Sequence, residues 1–327
     1  MVESRDIPAI KSVECFTFFE NITFTREFKL AEGIEVKELK DDDVEHRSKL
    51  FGADIAGDRI LYPDPDSTHK LVITEKEIVD YSNIENNIQT KIDNVINTLH
   101  FFTKLRIGVS GLFYVYRYKN GQITYKDHLF TFENLEEGLE VFDVDQHIEN
   151  LTEMFQFLSD LEDKSLKSAL RRFRYSYNRG LSEDALIDIY FAFESLFDID
   201  REISYRLSLY LGMLIGNNPS SRRMIFEFFR KACDIRSKIA HGSEITQKDL
   251  KKIDISSISE LYDKLKEYFL CAVENIKIIV EQEGDESINK LYTKQTLIDK
   301  VNERIFESPS GDKMCLESRF SKSTTMV

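Results

Sequence analysis

The spacing of apolar residues changes in character about 140 residues into the chain. Before that point, short aromatic and β-branched runs predict strands: Phe16–Leu30 is typical of a strand pair and Gly111–Tyr118 of a single strand. The Asn-Gly pair within Lys119–Gln122 predicts a type I′ hairpin turn, because both central residues of that turn need positive φ. Ile123–Phe132 is the expected returning strand, so the chain begins with a mixed α/β region.

Helical periodicity occurs within this first region and dominates after it. Apolar residues spaced three and four apart predict a helix over 87–105, and a short helix is expected over 44–50. From Val144 onward no strand pattern occurs, and an apolar period of 3.6 predicts a series of helices. Their expected bounds are 145–162, 165–178, 183–198, 202–215, 219–241, 257–283 and 286–305.

The change of pattern divides the chain into two domains, and its length of 327 residues agrees, since domains commonly hold about 100–200 residues. We expect an α+β protein, with a mixed α/β domain over 1–142, an all-α helical bundle over 143–306 and a polar tail over 307–327. No apolar run is long enough for a membrane helix, and no secretory signal begins the chain. With four scattered cysteines that form no CxxC pair, this predicts a cytoplasmic protein without membrane partners.

Charge is distributed unevenly along the chain. The net charge of −14 argues against non-specific nucleic-acid binding by the chain as a whole. Between Ser165 and Gly242, however, thirteen Lys or Arg and nine Asp or Glu give +4, which leaves −18 for the rest. The basic segment is therefore the first place to look for an anionic ligand. Metal-ligand spacings and the usual nucleotide-binding motifs are missing, so we expect no cofactor and no metal.

The helix expected over 219–241 carries the clearest candidate chemistry. Asn218 and Pro219 are typical of a helix start, and Gly242 of a helix end. At ~100° per residue, the apolar residues of this helix form one stripe, and Arg236 lies at its edge. Four polar residues fall on the opposite face: Arg223, Arg230, Ser237 and His241.

Arg236 and His241 are suited to metal-free phosphodiester chemistry. An imidazole titrates near neutrality and can move the proton of a ribose 2′-hydroxyl, while a guanidinium neutralises charge on phosphate oxygens. The two residues are ~140° apart on an ideal helix, so two copies related by a two-fold axis would bring them together better than one. Alternatively, His241 caps the helix and contributes about 0.3–1 kcal/mol through the helix dipole.

Five segments around this motif occur in a recognisable order and spacing. They are Arg172-Phe173, Ile187-Asp188, Phe191-Ala-Phe-Glu194-Ser-Leu-Phe197, Tyr205-Arg206-Leu207 and Arg236-Ser237-Lys-Ile-Ala-His241-Gly242. Together they resemble the Apea-like branch of the HEPN domains. The resemblance extends over roughly the C-terminal half of the chain and says nothing about the first 140 residues.

This resemblance implies an antiparallel helical bundle that dimerises and often acts as a metal-independent endoribonuclease. It implies that Arg236 holds phosphate and that His241 acts as acid or base. Ser237 stands where many members carry another polar residue, so what orients the site stays open. The expected role is that of a toxin or an antiviral (anti-phage, abortive infection) effector, with single-stranded RNA or tRNA loops as substrate. An antitoxin or a phage-derived trigger protein is a further expected partner.

The resemblance also leaves a different class of function open, because some HEPN domains lack catalysis. In that alternative the domain is an interaction or nucleotide-binding module that works with a protein partner. Glu194, in an otherwise apolar helix, either orients Arg236 or Arg206 or forms a structural ion pair.

Other basic residues of the segment are candidates for RNA contact. Arg172 and Arg174 alternate with aromatic residues, which either stack on RNA bases or pack inward beneath a solvated basic face. Arg223 and Arg230 share the His241 face and are expected to guide RNA phosphates. Lys238, within the motif, is expected to do the same.

Overall fold

The computed structural model describes residues 9–40, 68–76, 78, 82–103, 106–128, 140–197, 199 and 201–282. The chain divides into two compact units, one ending at Ser159 and the other beginning at Asp160. The described part of the first unit combines strands and helices, whereas that of the second contains helices only. The coarse expectation of an N-terminal sheet followed by helices is thus confirmed. The expected helices over 44–50 and 286–305 and the tail over 307–327 lie outside the described residues.

An antiparallel sheet with the order β3-β4-β5-β1-β6-β7 forms the first unit, and β2 and β8 make a short parallel pair. The long strand β1 lies inside the sheet, where Cys15 is opposite Ile73 on one side and Tyr114 on the other. The strands are β1 (Ile10–Glu20), β2 (Ile22–Phe24), β3 (Phe28–Ala31), β4 (Ile34–Glu38), β5 (His69–Lys76), β6 (Gly108–Tyr118), β7 (Ile123–His128) and β8 (Glu140–Phe142). The apolar pattern did not predict β4, β5 or β8.

The predicted hairpin is present between β6 and β7, but its turn type differs. The N–H of Gly121 donates to the carbonyl of Tyr118 at 3.0 Å, and the N–H of Tyr118 donates to the carbonyl of Gln122 at 2.9 Å. Within this turn only Gly121 has a positive φ, +86°. The prediction of a type I′ turn is therefore wrong: one glycine in the left-handed region after an ordinary turn is typical of a hairpin with a bulge.

Helices α1 (Ile84–His100) and α2 (Val144–Asp160) belong to the core of the first unit. From α2, Val144, Leu151 and Phe155 are buried in the same hydrophobic cluster as the inner residues of the sheet. The sequence interpretation placed this helix in the C-terminal domain, with a boundary at 142/143, whereas the structure places the division at 159/160. Periodicity identifies a helix but does not say which sheet or helix its apolar stripe contacts.

Six helices form the described part of the second unit. They are α3 (Lys164–Tyr177), α4 (Ser182–Phe197), α5 (Ile203–Ile215), α6 (Pro219–Ala240), the short α7 (Gln247–Lys251) and α8 (Ile258–Gln282). Aromatic rings join them in the core: Phe173 stacks on Phe269 at 4.4 Å, and Phe193 meets Phe229 edge-on at 5.1 Å. Among the helices of the described ranges, none combines the length and apolarity required to cross a bilayer.

Candidate active site on the helical unit

The start of α6 is capped by side-chain hydrogen bonds. The Asn218 side-chain oxygen accepts from the Ser221 N–H at 2.9 Å, and the Asn218 N–H donates to the Ser221 hydroxyl at 3.1 Å. Pro219 occupies the first turn, where its missing N–H leaves no hydrogen bond unmade. Along the helix, one apolar side is buried: Ile225, Phe228, Phe229, Ala232 and Ile235. The polar face is left for solvent and for the neighbouring helix α4.

The end of α6 is capped by backbone atoms. The Gly242 N–H donates to the carbonyl of Ile239 at 2.9 Å, and the Ser243 N–H donates to that of Lys238 at 2.8 Å. Gly242 has φ +66°, so this is the left-handed glycine cap that the sequence predicted. The His241 side chain is exposed and makes no hydrogen bond or ion pair with another described residue. Its ring is therefore accessible, and the cap does not depend on it.

Arg236 lies at the interface between α6 and α4. Its Nη2 is 3.2 Å from Oε1 of Glu194, and the two side chains are 25% and 16% exposed. The guanidinium also lies over the Phe191 ring, 5.4 Å from its centroid. Its Nε is buried and has no hydrogen-bond partner among the described residues. One face of this guanidinium is thus fixed by α4, while a quarter of the side chain stays open to solvent.

Glu194 pairs with Arg236 and not with Arg206, whose Nε is 3.5 Å from Glu202. Burial raises the pKa of the Glu194 carboxyl, and the nearby charge of Arg236 only partly opposes that change. Behind this pair, burial also raises the pKa of the Cys233 thiol to about 11. The surroundings of the ion pair are therefore apolar on the inner side, which strengthens its electrostatic interaction and makes it costly to break.

The remaining predicted residues of α6 differ in their exposure and in their ion pairs. Ser237 and Arg230 are exposed. Arg223 is 82% exposed and its Nε contacts Glu227 at 2.9 Å. By contrast, Lys238 is held by Asp249 of α7 at 2.6 Å. Asp249 has a lowered pKa because it accepts hydrogen bonds from Lys238 and then from Thr246 and Lys252. Lys238 is thus part of a structural network that joins α6 to α7.

Arg172 on α3 reaches the same surface as Arg236. Its Nη1 is 3.3 Å from Asp188, and Arg179 contacts the other oxygen of that carboxylate at 2.5 Å. The Arg172 guanidinium lies 5.5 Å from the centroid of the Phe191 ring. Phe191 is therefore contacted by guanidinium groups from two different helices. In the sequence, Phe191 stood out only as part of a family segment, and its spacing of three from Glu194 was the available signal.

The aromatic residues of α3 mostly face the core. Phe173 and Tyr177 are buried, whereas Tyr175 is 40% exposed. Arg174 is partly buried on the same helix. Of the two interpretations of this segment, the structure favours the one in which the aromatic residues pack inward beneath a basic face. Tyr175 is the exception.

No family model, no curated protein and no solved structure matches this chain. The described residues also contain no group of three or more His, Cys, Asp or Glu side chains arranged to hold a metal ion.

Proposed function

We propose that this protein is a metal-independent endoribonuclease of the HEPN type that acts as a toxin or an antiviral defence effector. The observation that supports this most directly is the arrangement at the end of α6. Arg236 is oriented by Glu194 at 3.2 Å, and five residues further on the His241 ring is exposed and uncommitted among the described residues. A fixed cation and an accessible imidazole near the same helix end are the two kinds of group that phosphodiester cleavage without a metal needs.

In the proposed reaction the imidazole of His241 removes the proton from a ribose 2′-hydroxyl. The resulting oxygen attacks the adjacent phosphorus, the bond from phosphorus to the 5′-oxygen breaks, and that oxygen takes up a proton from a second imidazole. The products are a 2′,3′-cyclic phosphate and a 5′-hydroxyl. Arg236 donates to the non-bridging oxygens, whose charge increases as the new bond forms. A second copy of the chain supplies the second imidazole, so the active form is a homodimer.

The first unit then has a separate role, which is to sense a trigger or to position the substrate. Because residues outside the basic segment carry −18, a basic protein surface is the complementary partner. An antitoxin or a phage-derived trigger protein would bind there, in the cytoplasm.

The first experiment measures degradation of single-stranded RNA in EDTA by wild type, His241→Ala and Lys231→Ala. Lys231 is an exposed cation of the same helix and serves as the matched control. We expect wild type and Lys231→Ala to leave cyclic phosphate ends and His241→Ala to be at least 100-fold slower. Equal activity in wild type and His241→Ala, or no activity in either, would rule the proposal out.

A second experiment tests the shared site. Wild type is mixed with inactive His241→Ala in increasing ratios at constant total protein, and the two are allowed to exchange subunits. Because the proposed reaction uses one imidazole from each subunit, the mixed dimer holds a single imidazole, and activity should fall with the square of the wild-type fraction. A linear fall, or a protein that is active but monomeric by light scattering at micromolar concentration, contradicts the dimeric site.

One observation favours the alternative of a nucleotide-binding module without catalysis. A cavity of about 250 Å³ lies between α5 and α6. Its lining combines two rings, Tyr205 and Phe226, with the cations Arg222 and Arg223. Rings beside guanidinium groups suit a base with its phosphate. Expression in cells separates the two functions, because growth arrest that disappears with Arg236→Ala requires the nuclease.

A further inference from the structure

The side chains of Arg172, Phe191 and Arg236 form one surface, which we call the arginine–phenylalanine platform. The three residues come from α3, α4 and α6. The Cζ atoms of both arginines lie within 5.5 Å of the Phe191 ring centroid, at 5.5 and 5.4 Å. They are therefore no more than about 11 Å apart, since the two distances to the shared centroid add to that limit. One short segment of an oligonucleotide can contact both.

The three residues of the platform are exposed to solvent to different extents. The Phe191 residue is 37% exposed. The Arg172 side chain is 42% exposed, whereas that of Arg236 is 25% exposed. Single exposed rings are common on protein surfaces, and Tyr175 and Tyr205 are exposed as well. Phe191 differs from them because two guanidinium groups lie within 5.5 Å of its centroid while part of the ring stays accessible.

Hydrogen-bonding capacity at the platform also remains available. Arg172 and Arg179 share the Asp188 carboxylate, and Arg236 pairs with Glu194. Each guanidinium has five N–H donors, and the contacts to these carboxylates use only part of that set. The carboxylates therefore hold the arginines in position and leave donors for a ligand.

We infer that the platform binds an unpaired nucleotide of single-stranded RNA next to the phosphate held by Arg236. The base stacks on the Arg172 plane and on the exposed part of the Phe191 ring, and Arg172 contacts the neighbouring phosphate. This inference rests on the proposed function, because Arg236 belongs to both sites. It adds a stacking subsite to that function and requires the base at this position to be unpaired, since a base paired within a helix presents no free face for stacking.

Binding is tested in the His241→Ala background, so that cleavage is not required. The probe is a fluorescein-labelled 12-nucleotide single-stranded RNA, and fluorescence anisotropy is measured at several salt concentrations. Phe191→Leu should weaken binding roughly tenfold without changing the salt dependence. Arg172→Ala should weaken binding and lower the slope of log affinity against log salt by about 0.7, as expected for one lost phosphate contact on a single strand.

Two controls separate ligand contact from folding. Arg171→Ala removes an exposed cation of the same helix and should change affinity by less than about twofold. Phe191→Tyr keeps an aromatic ring and should keep the affinity, even if Phe191→Leu proves unstable. Circular dichroism melting of every variant identifies losses that come from unfolding.

The inference is overturned if Phe191→Leu and Arg172→Ala bind like Arg171→Ala, if a duplex of the same sequence binds equally well, or if the His241→Ala parent does not bind RNA at all. A protein that binds RNA through the platform but never cleaves it would leave this inference standing and remove the nuclease proposal. The two can therefore fail separately.

Discussion

Each unit contains a glutamate at the centre of a polar cluster, and the two glutamates behave in opposite ways. In the first unit, Glu85 accepts hydrogen bonds from Tyr116 at 2.6 Å and from Lys126 at 2.7 Å, and His128 lies 3.4 Å away. Burial acts to raise the pKa of Glu85, but these partners outweigh it and the pKa falls below its usual value. In the second unit, Glu194 pairs with Arg236, but burial prevails over this one cation, so its pKa rises.

For Glu194 one cation does not offset burial, whereas for the more exposed Glu85 several donors do. The Glu85 side chain is 33% exposed and shared among three partners. That of Glu194 is 16% exposed and depends on one. The first arrangement is a stable surface network of the kind that many folds contain. In the second, burial shifts the pKa of a carboxylate that is paired with a guanidinium. Shifted pKa values of this kind are common at functional sites.

The largest difference should appear when each carboxylate is removed. Glu194→Ala leaves the half-buried Arg236 without its counter-charge and should lower the free energy of unfolding by about 2–3 kcal/mol. Glu85→Ala breaks a more exposed network and should cost about 1 kcal/mol. Urea unfolding of the full-length variants, followed by circular dichroism, measures both. Glu194→Gln keeps an acceptor for Arg236 and should lose less than the alanine variant; equal losses for Glu194→Ala and Glu85→Ala contradict the comparison.

Each unit also has a glycine in the left-handed region that is close in sequence to a residue of its cluster. Gly121, in the hairpin before β7, has φ +86°, and Gly242, at the end of α6, has φ +66°. An added Cβ meets no atom within 4 Å at either position, so any cost comes from the backbone. Gly121→Ala and Gly242→Ala should each lose about 1–2 kcal/mol of unfolding free energy.

Only Gly242→Ala should also slow RNA cleavage, because the same turn carries His241. Melting curves and the RNA assay in EDTA together test this. Asparagine tolerates positive φ better than alanine does, so Gly242→Asn should recover part of the stability. A Gly242→Ala variant that matches wild type in both measurements would show that the turn does not define the site.

The dependence of stability on pH should have opposite signs for the two carboxylates. Because the folded pKa of Glu194 is raised from 4.5, its contribution is fully present below that value and is lost as pH rises through the folded pKa. The folded pKa of Glu85 is lowered from 4.5, so its contribution is present above that value and is lost as pH falls through the folded pKa. Unfolding free energies of wild type minus Glu194→Gln, and of wild type minus Glu85→Gln, measured from pH 3 to 7, should therefore change in opposite directions. Parallel profiles would remove the distinction between the clusters.

The smallest effects should come from the histidines. His128 lies 3.4 Å from Glu85 and meets the Tyr114 ring edge-on at 5.8 Å, so His128→Ala should cost about 0.5–1 kcal/mol. The His241 ring has no such contact among the described residues, and His241→Ala should change stability by less than about 0.5 kcal/mol. Differential scanning calorimetry of the two variants decides this. A large loss in His241→Ala would mean that the residue is mainly a helix cap.

Local patterns predicted most of the helices closely. The expected 183–198 and 219–241 agree with α4 (Ser182–Phe197) and α6 (Pro219–Ala240) to within one residue. These helices have a regular apolar stripe and clear end signals, which act over a few residues and can be read in order. Strands β4, β5 and β8 were missed, because strand pairing depends on residues distant in the chain. The turn before β7 was assigned the wrong type, because an Asn-Gly pair is also compatible with a hairpin that contains a bulge.

The candidate site shows the same division. Spacing within one helix placed Arg236 at the edge of an apolar stripe and His241 on the open face, and both positions are found in the structure. Whether Glu194 pairs with Arg236 or with Arg206 was left open, and the packing of α4 on α6 decided it. The meeting of Arg172 and Arg236 at Phe191 joins three helices and has no signature in any one of them.

By itself, the sequence determined the helices of the second unit, the polar face of α6 and the glycine that ends it, because propensity, periodicity and capping act between neighbouring residues. Tertiary structure alone decided that α2 packs in the first unit, that Lys238 is held by Asp249 and that Glu194 is buried with a single cation. Burial and ion pairing depend on which helices and strands pack against each other, and local sequence patterns do not specify that.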